Sequence, residues 1–389
     1  MSSSLDQIGV QASRTIVHNR SAPTPSAMSS PTPSCPCLAL VVECRSGFEA
    51  DASQELMHAA DSARITGHCD FQAHDGFVQL RLTDALPHDQ VRRRLDLSRL
   101  IFARQAFHLV GELHDLPGRD RLSPVVQGIL KLGERISCVL PETPDTNPGK
   151  EQSAFLKRFI PLLEEALAKA GVLRPDSLHL PRLHLFMPNP SSMLLGLSLA
   201  SEGSPWPMGI PRLRMPKDAP SRSTLKLAEA FQSLLTPEEQ KASLRPGLHA
   251  VDLGAAPGGW SWQLASRGLR VTAIDNGPLA PSVMATGLIE HLRADGFAWR
   301  PKKPVEWMVC DMVEQPSRIA PMMADWIATG RCRRSLFNLK LPMKRRFDEV
   351  ERCRALIDQR MRSAGQKYLM RIKHLYHDRE EVSCYLTRR

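Results

Sequence analysis

Apolar and polar positions follow two alternating periods from Leu38 onward. The run over residues 38–44 is almost wholly apolar and reads as a buried strand. After Gly47 the segment FEADASQELMHAA repeats its apolar positions every three or four residues, the spacing of a helix with one buried face. Alternating runs over residues 64–71 and 76–82 predict two strands. A short basic helix over 88–95 and an apolar run over 100–110 complete the series. The order β-α-β-β-α-β is that of a ferredoxin-like unit. The turn-rich VLPETPDTNPGKE breaks the pattern, a long amphipathic helix follows (EQSAFLKRFIPLLEEALAKAG), and LHLFM and MLLGLSLA read as strands.

Beyond Ser223, strands and helices alternate. One strand ends at Leu253, a helix starts near Gly258, and LRVTAID ends a second strand at Asp275. Further strands are predicted at 307–310, 335–339, 367–373 and 382–386. Such alternation specifies a doubly wound, Rossmann-like α/β sheet. The chain of 389 residues is too long for one ordinary core. It divides into a disordered Ser/Pro-rich tail (1–37), the ferredoxin-like unit (38–110), a second α+β module (111–200), a linker (201–222) and the doubly wound domain (223–389). The linker carries five prolines, and its Arg212, Arg214, Lys217 and Arg222 either touch phosphate or are simply solvated.

Charge adds direction. The net charge is +10, and residues 223–389 hold 27 Lys/Arg against 18 Asp/Glu. An excess of that kind favours a polyanionic partner. No apolar run approaches the roughly 20 residues needed to cross a bilayer, and no secretory leader precedes the tail, so a cytoplasmic protein is expected. The nine cysteines include no CxxC pair, and Cys35 and Cys37 bracket a proline in the tail, which predicts free thiols and no zinc site.

The sharpest local signal is AVDLGAAPGGWSWQLASRGLRVTAID. Asp252 ends a strand, and Gly254, Gly258 and Gly259 allow backbone conformations and close approaches that a Cβ would block. This is the switch-point position, where doubly wound sheets bind ligands. Asp275 follows Asp252 by 23 residues, near the ~20 expected for an acid that grips a ribose diol. The order G-A-A-P-G-G is not the GxGxxG of dinucleotide sites, and no GxxxxGK[ST] wraps a triphosphate. A nucleoside ligand without phosphates fits better, and S-adenosylmethionine is the common one. Asp295, before Gly296, suits an acceptor for an adenine amino group, though an exposed Asp-Gly turn is almost equally compatible.

Four further residues suit methyl transfer to a sugar hydroxyl, which is a poor nucleophile until its proton begins to leave. Lys340 closes the strand-like SLFNLK. Burial and a second cation, such as Lys226 in STLKLAEAF, push a lysine toward its neutral form. Asp311 follows the apolar WMVC, and Glu381 precedes the last strand; two carboxylates beside two lysines would set the protonation pattern. Taken alone, each lysine reads more simply as a surface charge, and Glu381 as the flank of an edge strand.

DLGAAPGGWSWQL, with Lys226, Asp311, Lys340 and Glu381 in that order, resembles the Lys-Asp-Lys-Glu tetrad of FtsJ-type ribose 2′-O-methyltransferases. CRSGFEADASQEL, PWPMGIPRLRMPKDAPSRSTLKL, DNGPLA, VCDMVEQP, FNLKLPMKRRFDEV and LYHDREEV resemble the ribosomal RNA large subunit methyltransferase M family over roughly residues 38–389. The resemblance implies S-adenosylmethionine-dependent 2′-O-methylation of one cytidine, nucleotide 2498, of bacterial 23S rRNA. It also implies that residues 111–200 form a THUMP RNA-binding module. Donor contacts carry over to Ser223, Ala256, Pro257, Gly258, Gly259, Asp275, Asp295 and Asp311, and the proton-acceptor role to Lys340. A monomer needing no metal is expected. Ala256 stands where relatives can carry cysteine, and the Ser/Pro-rich extension departs from the family pattern. Another RNA such as tRNA, or an RNA-binding assembly factor with an idle catalytic domain, are the alternatives; the presence of both lysines speaks against idleness.

Overall fold

The computed structural model describes residues 35–389. Strand β1 (Pro36–Glu43), helix α1 (Glu49–Ser62), β2 (Gly67–Asp70), β3 (Phe77–Pro87), α2 (His88–Arg94) and β4 (Gln105–Leu113) follow in the predicted order. They pair as β2-β3-β1-β4, antiparallel throughout, which is the ferredoxin-like arrangement. Most of the tail assigned to 1–37 lies outside the described residues, but its last residues do not behave as a tail. Pro36 and Cys37 begin β1, opposite Pro87 and Leu86, and the Cys35 carbonyl accepts from the His88 amide.

The division at residue 110 does not separate two sheets. β4 runs past residue 110, and its outer edge still has free ladder groups, which an added strand can satisfy. The segments α3 (Leu122–Lys131), β5 (Val139–Glu142), α4 (Asn147–Lys169), β6 (Arg182–Asn189) and β7 (Ser192–Ser198) supply it. β7 pairs antiparallel with β4, so both N-terminal modules share one seven-stranded sheet of order β2-β3-β1-β4-β7-β6-β5. β5 is part of the stretch read as a break. Pro141 is tolerated there because β5 is an edge strand. The segment 201–222 has little regular structure but is docked. Gln105 Nε2 donates to the carbonyls of Ser204 and Trp206, Arg182 donates to Ser204, and Met208 and Ile210 are buried. Arg212, Arg214, Lys217 and Arg222 remain exposed.

The C-terminal half contains α5 (Ser223–Leu234), α6 (Pro237–Ser243), β8 (His249–Leu253), α7 (Gly259–Ala265), β9 (Arg270–Ile274), α8 (Pro281–Met284) and β10 (Ile289–Leu292). It continues with β11 (Val305–Cys310), α9 (Pro316–Ala328), β12 (Cys332–Lys340), α10 (Arg346–Ser363), β13 (Tyr368–Lys373) and β14 (Glu381–Arg388). The sheet order is β10-β9-β8-β11-β12-β14-β13, with β8 to β12 parallel and β14 antiparallel to both neighbours. β8 has β9 on one side and β11 on the other, so the chain reverses direction across the sheet at β8 and opens its binding crevice there. Alternate residues of the central strands bury on opposite faces. Val251, Met308 and Phe337 pack toward α9 and α10, while Ala250, Trp307 and Leu336 pack toward α5 and α7. The first of these clusters continues into Leu40, Phe48 and Phe102, so the ferredoxin-like unit and the doubly wound domain share a core.

Candidate active site

The tetrad assembles because four elements end at one place. The buried run Trp307–Cys310 seats β11 in the sheet and leaves Asp311 as the first residue past it. Lys340 is the last residue of β12, and Glu381, the first of antiparallel β14, lies directly opposite it in the ladder. Leu227, Ala230, Phe231 and Leu234 anchor α5, which brings Lys226 to the same spot from its first turn. Asp311 serves both lysines: Oδ1 pairs with Lys340 Nζ, and Oδ2 lies 3.7 Å from Lys226 Nζ. Glu381 Oε1 pairs with Lys226. All four side chains are at most one-fifth exposed. Burial pulls the Lys226 ammonium toward neutrality, but facing Asp311 and Glu381 outweigh it and hold its pKa above the ordinary lysine value. Lys226 is therefore a fixed cation.

A second layer escaped sequence reasoning. Asn338, two residues before Lys340 on the same face of β12, donates to Asp311 Oδ1 at 3.0 Å. Ser383, its cross-strand partner on β14, lies 2.9 Å from Asn338 Oδ1 and 3.1 Å from Asp378 Oδ2. Asp378 is fully buried, and burial pushes its carboxyl well above the usual range. The protonated acid can donate to Ser383, freeing the serine proton for Asn338. The available signal was a polar residue inside the apolar run LFNL, but only the β12–β14 register reveals its partner.

The expected donor residues line the adjoining carboxyl ends of β8, β9 and β10. Gly254 takes φ +75° and Gly258 φ +108°; a Cβ on Gly258 would meet Val283, and one on Gly259 would fall 2.2 Å from Ser223 Oγ. Ser223 and the loop Ala256–Pro257–Gly258–Gly259 thus close on each other. Asp275 accepts from the backbone amides of Ala256 (2.9 Å) and Gly277 (2.7 Å), fixing the loop while keeping lone pairs for a ligand. Asp252 is buried and accepts from Ser261 at 2.7 Å; burial raises its pKa to about 7. Asp295 is exposed and bonded to the Phe297 amide, and neighbouring Gly296 packs on Met312.

A doubly wound sheet whose switch-point glycine loop adjoins a Lys-Asp-Lys-Glu cluster defines a methyltransferase domain. Residues 219–329 match the family model "FtsJ-like methyltransferase", 38–107 match "RlmM ferredoxin-like domain", and 120–199 match "Ribosomal RNA large subunit methyltransferase M, N-terminal". The ribosomal RNA large subunit methyltransferase M of Aromatoleum aromaticum is 53% identical, the match covering 90% of this chain and 95% of that protein. That of Thauera aminoaromatica is 52% identical, over 92% and 98%. That of Methylococcus capsulatus is 47% identical, over 89% and 97%. The chain belongs to the ribosomal RNA large subunit methyltransferase M family.

Proposed function

We propose that the protein transfers a methyl group from S-adenosylmethionine to a ribose 2′-hydroxyl of 23S rRNA in the cytoplasm, and that the acceptor is the cytidine at nucleotide 2498. The observation carrying this reading is Asp311 shared between Lys340 and Lys226, with Glu381 closing the set. When bound, the donor supplies a methyl group activated by a sulfonium charge, so the chemistry needs proton removal rather than a metal. Asp275 would hold the donor ribose, Asp295 its adenine, and Ser223, the 256–259 loop and Asp311 the remainder. The cradle fits: its backbone approaches Ser223 and Val283 too closely for side chains at Gly259 and Gly258.

Lys340, in its neutral form, takes the proton from the attacking 2′-hydroxyl. Lys226 stays charged and offsets the charge developing on that oxygen, while Asp311 and Glu381 hold both amines in place. Residues 111–200, read as a THUMP module on the extended sheet, select the RNA, and the protein acts as a monomer. Mass spectrometry of rRNA fragments from cells with and without the protein tests the reading. The expected result is loss of one ribose methyl, at that cytidine alone; identical fragment masses in the two strains would overturn it.

A further inference from the structure

Beside the tetrad lies a cleft of about 640 Å³ whose lining includes Lys226 and Glu381 but no residue of the glycine loop. The catalytic domain lines it with Ser223, Lys226, Glu381 and the loop 376–379, the linker adds Arg222, and the N-terminal half adds Arg45 and Ser46 from the turn after β1 and Asp145 from the loop before α4. Ser223 belongs to both places, since its Oγ faces Gly259 and its side chain lines the cleft. A ligand in the cleft therefore meets Lys226 and Glu381 next to Ser223, the residue that closes on the donor loop.

The chemistry of the walls is that of a single nucleotide. Among the described residues, Arg45, Arg222 and Arg379 have no carboxylate partner, whereas the acids nearby are committed: Asp145 to Arg104 at 2.8 Å, Glu381 to Lys226, and Asp378 buried against Ser383. Uncompensated guanidinium groups around a concave site suit phosphate. Between them stands Tyr376, with the buried Arg104 guanidinium 5.3 Å from its ring centroid and 37% of its surface exposed. An aromatic ring backed by a cation and open to solvent is a stacking platform for a base. The platform is rigid. Glu229 accepts from the amides of Tyr376 and His377 at 2.8 and 2.9 Å, and Arg45 donates to the Asp378 carbonyl at 3.1 Å. The volume suits one unstacked nucleotide rather than a duplex.

We propose that this cleft receives the acceptor nucleotide, with Tyr376 stacked on its base and Arg45, Arg222 and Arg379 on the flanking phosphates. The ferredoxin-like unit then forms part of the acceptor site itself. This rests on the methyltransferase reading above.

The test is methylation of unmodified 23S rRNA transcript by the full chain, comparing wild type, Tyr376→Phe, Tyr376→Ala and Arg45→Gln, with donor affinity and melting temperature measured for each. Tyr376→Ala should lower kcat/KM for RNA about 10- to 100-fold, the scale of one lost base stack, and Tyr376→Phe should restore most of it. Arg45→Gln should weaken RNA binding and reduce the salt-dependence slope by about one phosphate contact. Donor affinity should stay at the wild-type value, and the melting temperature establishes that each variant is folded. Wild-type kcat/KM in Tyr376→Ala, or failure of phenylalanine to rescue a folded alanine variant, would overturn the cleft assignment while leaving the methyltransferase reading intact. Absence of methyl transfer by the wild type would instead remove that reading, and this inference with it.

Discussion

Lys340 and Glu381 face each other across the β12–β14 ladder, yet each is paired elsewhere, Lys340 with Asp311 and Glu381 with Lys226. Lys226 also approaches the second oxygen of Asp311, so that carboxylate joins the two amines. Asp311→Asn removes the shared anion while keeping the shape. Single-turnover methyl transfer should fall by roughly 10²-fold or more, the scale of a lost preorganised electrostatic partner. Rapid-quench kinetics at saturating donor would check this, and a rate within threefold of wild type would show that the two lysines hold their positions without it.

Asn338 reaches the tetrad through its hydrogen bond to Asp311. A hydrogen bond to a charged group is worth about 1.5–3 kcal/mol, so Asn338→Ala should slow the chemical step by about 10- to 100-fold. Donor affinity should change far less than the rate, since Asp311 is one of several donor contacts. Kinetics and calorimetric titration of the same preparation separate these effects; a loss confined to donor binding would place Asn338 in the donor site instead.

How much of this was legible in the sequence follows from which interactions are local. Most strands of the catalytic half, the glycine loop and the chain positions of the four tetrad residues each leave a periodic or compositional trace, whereas the short edge strand β10 does not. Asn338, Ser383 and Asp378 leave almost none, because their meaning lies in a cross-strand register set by the whole sheet. β5 was hidden by Pro141, which an edge strand accepts and a central strand would not. The merging of the N-terminal modules was invisible because β4 and β7, far apart in sequence, pair only once both edges exist. Likewise the proline-rich segment 201–222 reads as a linker, although Gln105 and Arg182 bind its carbonyls.

Asp252 should leave a signature in the pH dependence of stability. Its folded pKa is about 7, against an unfolded value near 3.9. Between those values the folded state holds a proton that the unfolded state has lost, so stability falls as pH climbs from about 4 to about 7 and stays lower above that. Asp252→Asn removes this contribution. The variant's unfolding free energy relative to wild type should therefore rise across that window and then level off, as urea titrations at a series of pH values would show. Parallel curves would mean that the group does not change protonation there.

Arg346 ties the catalytic domain to the ferredoxin-like unit. Its guanidinium pairs with Asp51 at 3.0 Å and with Glu380 at 2.9 Å, and lies 4.1 Å from the Phe48 ring centroid. The Asp51 side chain is only 8% exposed. Removing one partner strands a buried charge, so Arg346→Ala should destabilise the protein by roughly 3–5 kcal/mol. Chemical denaturation should show this as a lower midpoint, and Asp51→Asn in the same background should recover part of the loss.

The central claim is that Lys340 accepts the proton of the ribose hydroxyl, and Lys340→Arg tests it most directly. Arginine keeps the positive charge and a donor for Asp311 but cannot serve as a base. Single-turnover methylation of unmodified 23S rRNA should rise with pH in the wild type, as general-base catalysis requires. In Lys340→Arg the rate should fall about 10²–10⁴-fold and lose that rising limb, with donor binding retained. A near-normal rate and an unchanged pH profile in Lys340→Arg would contradict the claim and leave Lys340 as a fixed cation.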